Sequence, residues 1–460
     1  MISPARIGKL QHRYLQSGAT LDLHSRKKNL KTLKEMLENE GERIAEAIRK
    51  DLGRCWLESW SAEPGLAIAD IKFALKKIRK WYRPSRLKTS PPMLPGKARG
   101  YQEPYGVAVI VGPWNYPAGL LLCPMVSALA AGNTVILKPS ERSPHTSGLL
   151  KDIAGEYFPE DLVSVITGGG DIAAELIREA ADIVCFTGSR NTGRKVMAEA
   201  AKRPVPVILE LGGANPCFVD RDADIKSAAR RIAWGRFFGA GQTCLAPNHV
   251  FVEESAEEEL LSELKDTVRE FYGENPMESE DYGRIIDARA WNRLRELAEL
   301  GTPVTGGAWA EEELYIAPTV LTDVDPGSDL VREEIFGPLL PVIPCDSIAD
   351  RMESTPAGDS SPLAAYGFSR RSRRMQSMLR DEVRAASITV NGTLHRIVSS
   401  SIGFGGVGGS GFGRYRGGQG FRNFSWQRVI LRKHPSWEMP MLYPPYRIGR
   451  KLVKLMSRFF

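Results

Sequence analysis

Residues 104 to 137 contain no charged side chain, and a run of that length admits few folds. A membrane-spanning helix needs roughly 20 consecutive apolar residues, whereas Pro113, Pro117 and Pro124 interrupt this run, as do Gly106, Gly112, Gly119 and Gly132. The punctuation predicts a strand over 107–111, a loop, a helix over 120–131 and a second strand over 134–137. Strands and helix that are apolar on every side suit a buried βαβ unit in a parallel sheet covered by helices on both faces. Short apolar runs near 162–166, 183–186 and 206–210 continue the alternation. A second α/β segment begins at Gly212 and includes a highly charged helix near 253–272. The first eighty or so residues read as charged amphipathic helices, and the Pro-rich stretch from Pro84 to Pro104 as an extended arm or hairpin. Beyond Ile402 the chain turns Gly-rich, then aromatic and basic. At 460 residues, 42% hydrophobic and 25% charged, the chain is expected to form two or three domains with ample core.

Chemistry concentrates around one thiol. Cys244 lies in FFGAGQTCLAPN (237–248), and VILELGG (207–213) places Glu210 upstream. Glycines beside a thiol and a carboxylate let backbone N–H groups face a pocket and a substrate carbonyl approach closely, so the pair reads as nucleophile and base. A lone cysteine is more often a buried structural residue, and the other segments outweigh that reading here. PWNYP (113–117) carries Trp114 and Asn115, and GNTVILKPSE (132–141) carries Lys138 and Glu141. FTGS (186–189) carries Gly188 and Ser189, and EEIFGP (333–338) carries Glu334 and Phe336.

In order and spacing these segments resemble the aldehyde dehydrogenase superfamily along nearly the whole chain. The APN after the cysteine and FGGVGGSGFGRYRG (404–417) look most like its class 3 branch, which includes fatty aldehyde dehydrogenases and is typically dimeric. The resemblance implies an α/β fold with a Rossmann-type NAD-binding domain (1–83 and 104–211), an α/β catalytic domain (212–402) and a small oligomerisation arm (84–103 and 403–440), followed by a tail (441–460). It implies NAD(P)-dependent oxidation of aldehydes to carboxylic acids, and the apolar stripe of the tail from Ile448 to Phe459 suggests substrates of medium or long aliphatic chain.

The expected roles follow physically. Cys244 adds to the aldehyde carbonyl, and the Asn115 amide and the Cys244 backbone N–H receive the oxyanion. Loss of hydride leaves a thioester, which Glu210, desolvated between Leu209 and Leu211, hydrolyses by activating water. Glu334 has two readings, a rival base or a ligand of the nicotinamide ribose. Phe336 is expected with Glu334 at the nicotinamide ribose end, Trp114 among the cofactor-binding residues, and Gly188 and Ser189 at the pyrophosphate, where a helix over 192–201 begins. Lys138 and Glu141 follow a strand end and suit the adenosine ribose; Glu141 would repel a 2′-phosphate, favouring NAD, with NADP also accepted in class 3 relatives. Ala214 departs from the pattern, since many relatives carry Lys after ELGG. Gly406, Gly408 and Gly411 match GxGxxG, but no strand precedes them, so they read as a loop near the catalytic funnel or dimer surface. His395 is expected to be structural. Two other functions compete: transfer of the acyl group to coenzyme A, and a membrane-associated scaffold without catalysis.

Six cysteines without a CxxC pair or a metal-ligand cluster indicate a reducing compartment, the cytoplasm, and no metal. The N-terminus lacks a signal-peptide core. From Arg428 onward lie eight Lys or Arg and one Glu, a surplus equal to the entire net charge of +7, and the preceding chain carries 54 of each sign. Such balance argues against nucleic acid. In the tail, Ile448, Leu452, Leu455 and Phe459 share a helical face flanked by basic residues. That stripe over 446–460 has two readings, a peripheral contact with the inner face of an anionic membrane or packing on the protein or a partner subunit.

Overall fold

The computed structural model describes residues 3–90, 93, 95–355, 361–437, 443–445 and 454. Its centre is a six-stranded sheet in the order Gly411–Phe412, Val207–Leu211, Ile183–Gly188, Val107–Val111, Thr134–Lys138, Val163–Val165. All neighbours pair in parallel except the edge strand Gly411–Phe412, which runs antiparallel to Val207–Leu211. Val107–Val111 and Thr134–Lys138 are buried at every position, as their uninterrupted apolar sequence requires. The helix between them, Gly119–Ala131, is buried around nearly its whole circumference and tolerates Pro124 within it. Predicted and observed strands in this region agree to within about two residues, the ordinary uncertainty of element ends.

The second sheet has seven strands, ordered Thr302–Thr305, Thr319–Thr322, Leu339–Cys345, His249–Glu253, Pro216–Val219, Ala365–Phe368, Ile388–Val390. The charged helix falls at Glu254–Tyr272 and turns Leu260, Leu264 and Val268 inward. Helices Pro4–Gln16, Leu23–Leu52, Trp56–Ala62 and Pro64–Tyr82 make up the N-terminal region. Leu23–Leu52 starts where Asp22 accepts hydrogen bonds from the N–H groups of His24 and Ser25, and it stops at Gly53 in the left-handed conformation, a start and stop written in the residue types.

The Pro-rich arm forms a hairpin, Ser85–Leu87 against Gly96–Pro104, and Ser425–Lys433 adds a third antiparallel strand along the whole of Gly96–Pro104. The amphipathic stripe anticipated over 446–460 lies outside the described residues except for Lys454. Among the described residues no helix is long and apolar enough to cross a membrane.

Candidate active site

The loop bearing Cys244 is built from backbone that few side chains tolerate. Gly239 and Gly241 have φ of +59° and +73°, and Ala240 between them has +53°; a Cβ on Gly241 would lie 2.2 Å from the Gly337 carbonyl oxygen. Glycine is required at Gly241 on both counts. Side chains then clamp the loop. Glu58 accepts from the Gly239 N–H at 3.0 Å, and the Gln242 amide donates to the carbonyls of Gly239 and Arg284 while accepting from the Ile286 N–H. Asn215 donates to the carbonyl of Cys244 at 2.7 Å and to that of Ala246 at 3.0 Å.

Asn115 follows the strand Val107–Val111, and its amide donates to the Gln242 carbonyl at 2.8 Å, which ties it to the cysteine loop. The helix after it starts at Ala118 without a side-chain cap. Glu63 substitutes from a distance, accepting from the N–H groups of Ala118 (2.8 Å) and Gly119 (2.9 Å), and Arg54 pairs with Glu63 in full burial. The Arg54 guanidinium also stacks on Tyr116, whose hydroxyl is 2.7 Å from Thr243 Oγ1. One buried ion pair therefore positions both the Asn115 loop and the residue before Cys244.

Two cavities meet at Cys244. The larger, about 670 Å³, is walled by Trp114, Asn115, Gly188, Ser189, Glu210, Glu334 and Phe336 together with Cys244. The smaller, about 380 Å³, is lined mainly by apolar side chains, among them Trp60, Leu66, Trp234, Phe238, Leu245 and Phe404, and Cys244 borders it too. Eight of the ten residues singled out in the sequence thus share the larger cavity. Lys138 and Glu141 do not line it; they form an ion pair with each other at 3.0 Å, with Lys138 buried and Glu141 largely exposed. His395 is exposed and packs against Trp234. Gly411 pairs with Glu210 across the sheet edge, and a Cβ there would lie 2.1 Å from the Leu209 carbonyl oxygen.

Burial governs the site's electrostatics. Glu210 is 1% exposed and neither carboxyl oxygen has a hydrogen-bond partner among the described residues. That burial pushes its pKa well above the carboxylate range, against the pull of Arg396 and Arg414. Burial, and then the charges of Glu210 and Glu334, push the Cys244 thiol up as well. Glu334 is raised to about 7, chiefly by burial, opposed by a hydrogen bond from the Gly213 N–H and by Arg190.

The larger cavity suits a dinucleotide. It lies beyond the carboxyl ends of parallel strands, where open α/β sheets bind nucleotides. Ser189 caps the helix Arg190–Ala200, accepting from the Thr192 N–H, so the positive end of that helix faces the cavity. Thr187 Oγ1 is buried there without a partner among the described residues, and Gly212 leaves room in which a Cβ would overlap Glu334. Trp114 and Phe336 meet edge to face at 5.4 Å, Phe336 holding a φ of +53°. Several lining residues had no motif to mark them. Arg142 stacks over Trp114 at 4.7 Å and pairs with Asp287 across the cleft. Arg293 donates to the carbonyls of Glu334 and Ile335, bracing the segment that carries Glu334.

Two mostly parallel sheets, with a thiol and a carboxylate in a cleft at the strand ends, are the architecture of an α/β enzyme. The family model described as "Aldehyde dehydrogenase family" matches residues 12–430. A 4,4'-diapolycopene-4,4'-dial dehydrogenase from Cytobacillus firmus is 41% identical, covering 91% of this chain and 92% of its own. Aldehyde dehydrogenase family 3 member A2 from Macaca fascicularis is 38% identical over 93% and 88% respectively. The solved Staphylococcus aureus AldH in its substrate-bound state superposes with a TM-score of 0.94 at 35% identity, covering 99% of this chain and all of that one. The chain belongs to the aldehyde dehydrogenase family, on its class 3 side, and is an NAD(P)-dependent enzyme of aldehyde oxidation.

Proposed function

We propose that the enzyme oxidises medium- and long-chain aliphatic aldehydes to carboxylic acids through a cysteine-bound acyl intermediate. One observation carries the reading: Cys244 borders both the polar cleft and the apolar cavity, so a thiol there can reach an aldehyde whose chain lies in one while its carbonyl faces the other. The Asn115 amide and the Cys244 N–H would receive the oxyanion as sulfur adds. NAD, when bound, accepts the hydride. Trp114, Phe336 and Glu334 would hold its nicotinamide end, Gly188 and Ser189 its pyrophosphate, and Lys138 with Glu141 the adenosine ribose, where Glu141 disfavours a 2′-phosphate and hence NADP. Glu210 would then activate the water that releases the acid. The relative that acts on a dial of diapolycopene supports a long apolar substrate.

Chain length is the test. Steady-state NADH formation is expected to rise in kcat/KM from butanal to dodecanal, each buried CH₂ contributing about 0.8 kcal/mol until the cavity is filled. A profile flat or falling with chain length would exclude the aliphatic reading.

The raised values at Glu210 and Cys244 act in one direction. Each shift favours the acid form of its group, in which a thiol does not add and a carboxyl does not accept a proton. Turnover should therefore rise with pH and keep rising into the alkaline range, as read from kcat against pH under saturating aldehyde and NAD; a plateau below neutrality would contradict it.

A homodimer fits the edge strand Ser425–Lys433, which exposes Val429, Ile430 and Leu431 by 57%, 50% and 43%. An open apolar edge of this kind pairs readily with another strand. Val429→Glu with Leu431→Glu is expected to shift sedimentation from dimer toward monomer; an unchanged dimer would place the interface elsewhere.

A further inference from the structure

Arg396 has no place in the reaction described so far. It sits in the short helical turn Leu394–Val398, whose Leu394, Ile397 and Val398 line the apolar cavity bordered by Cys244. Its guanidinium lies 4.9 Å over the ring of Phe404, another wall of that cavity. Both Nε and Nη2 are buried without a hydrogen-bond partner among the described residues.

Other buried arginines here are differently equipped. Arg54 pairs with Glu63, Arg416 forms a two-pronged bond with Asp70, and Arg236 donates to the carbonyls of Pro247 and Gly337. Two buried guanidinium nitrogens without a partner cost stability, so the position calls for a use. Glu210 shows the complementary deficit, two buried oxygens without partners. Of the charges around Glu210, Arg396 attracts it most, and Glu210 is in turn the strongest attraction on Arg396. Arg414 also faces Glu210 as a cation and Glu334 as an anion, with Cys244, Cys185, Tyr415 and, beside Arg396, Tyr366 as the remaining titratable neighbours.

We propose that Arg396 is a positioning residue for hydrolysis, the counter-charge that lets Glu210 exist as a carboxylate beside Cys244. The inference rests on the reading of Glu210 as the base. In that half-reaction the Glu210 carboxylate takes a proton from water while the water oxygen bonds to the acyl carbon. The C–S bond then breaks with its electron pair on sulfur, the acid leaves, and the proton passes from Glu210 to solvent. A fixed cation near the carboxylate favours its charged form without touching the substrate.

The test compares the parent enzyme with Arg396→Met, Arg396→Gln, Arg396→Lys and Glu210→Gln. It measures p-nitrophenyl acetate hydrolysis, which needs no cofactor, and NADH formation from decanal, both as functions of pH. Met and Gln are expected to move the deacylation limb upward by about one pH unit. Hydrolysis should then fall about tenfold below the limb and recover in alkali, with the pre-steady-state NADH burst retained. Lys should restore the parent profile to within a few tenths of a unit. Two neutral variants of different shape guard against one failing to fold. An unmoved limb, a loss equal at every pH, or a change confined to KM would overturn the proposal, the last because it would mark a substrate contact. If Glu210→Gln leaves deacylation intact, the base assignment itself fails; if it blocks deacylation while the Arg396 variants keep the parent limb, only the role of Arg396 fails.

Discussion

Replacing Cys244 with Ala is expected to lower aldehyde-dependent NADH formation on the order of a million-fold, to background, as loss of a covalent nucleophile does elsewhere. The fold should survive. The loop is held through main-chain groups, by Asn215 on the Cys244 carbonyl and Tyr366 on the Leu245 carbonyl, and removing one half-buried sulfur should cost no more than about 1 kcal/mol in thermal unfolding. A rival thiol makes the experiment discriminating. Cys123 also lines the apolar cavity, but unlike Cys244 it does not border the polar cleft that holds Asn115 and Glu210. Cys123→Ala should therefore keep most of the turnover; the reverse outcome would move the nucleophile to Cys123.

The second large effect belongs to Glu210. Glu210→Gln is expected to cut steady-state turnover by roughly 10² to 10⁴, the usual worth of a general base, while leaving the first NADH per site intact in stopped-flow. The substitution is nearly isosteric, and no hydrogen bond within the described residues is lost with it. A variant that lost burst and steady state equally would assign Glu210 to an earlier step. Glu334→Gln sets the contrast, because Glu334 is braced through its main-chain carbonyl by Arg293 and walls the nucleotide cleft; its replacement should raise the KM for NAD more than it slows acyl release.

What was readable in the sequence was whatever is encoded locally. The run 104–137 disclosed strand, helix and strand because an apolar segment bounded by Gly and Pro has few other solutions, and the segments around Cys244, Glu210, Asn115 and Glu334 stood out because glycines and a functional side chain fall together. Those residues do converge on one cavity. Long-range pairing was not readable. Nothing within FGRYRG signals that Arg416 bonds Asp70, 346 residues away, or that Gly411 joins the sheet beside Glu210. Lys138 and Glu141 read as two independent ligands, whereas their spacing of three also lets them neutralise each other. Arg142, Arg293 and Arg396 lie in segments without any motif, and their importance comes from which surfaces the fold presses against them.

The most direct test of a covalent role for Cys244 is intact and peptide mass spectrometry of Glu210→Gln, quenched in acid within one turnover of decanal and NAD. An acyl adduct on the peptide containing Cys244, absent without NAD and absent when Cys244 is Ala, is the expected result. NADH released in stoichiometric amount with that peptide unmodified, or with the adduct on another side chain, would contradict the account.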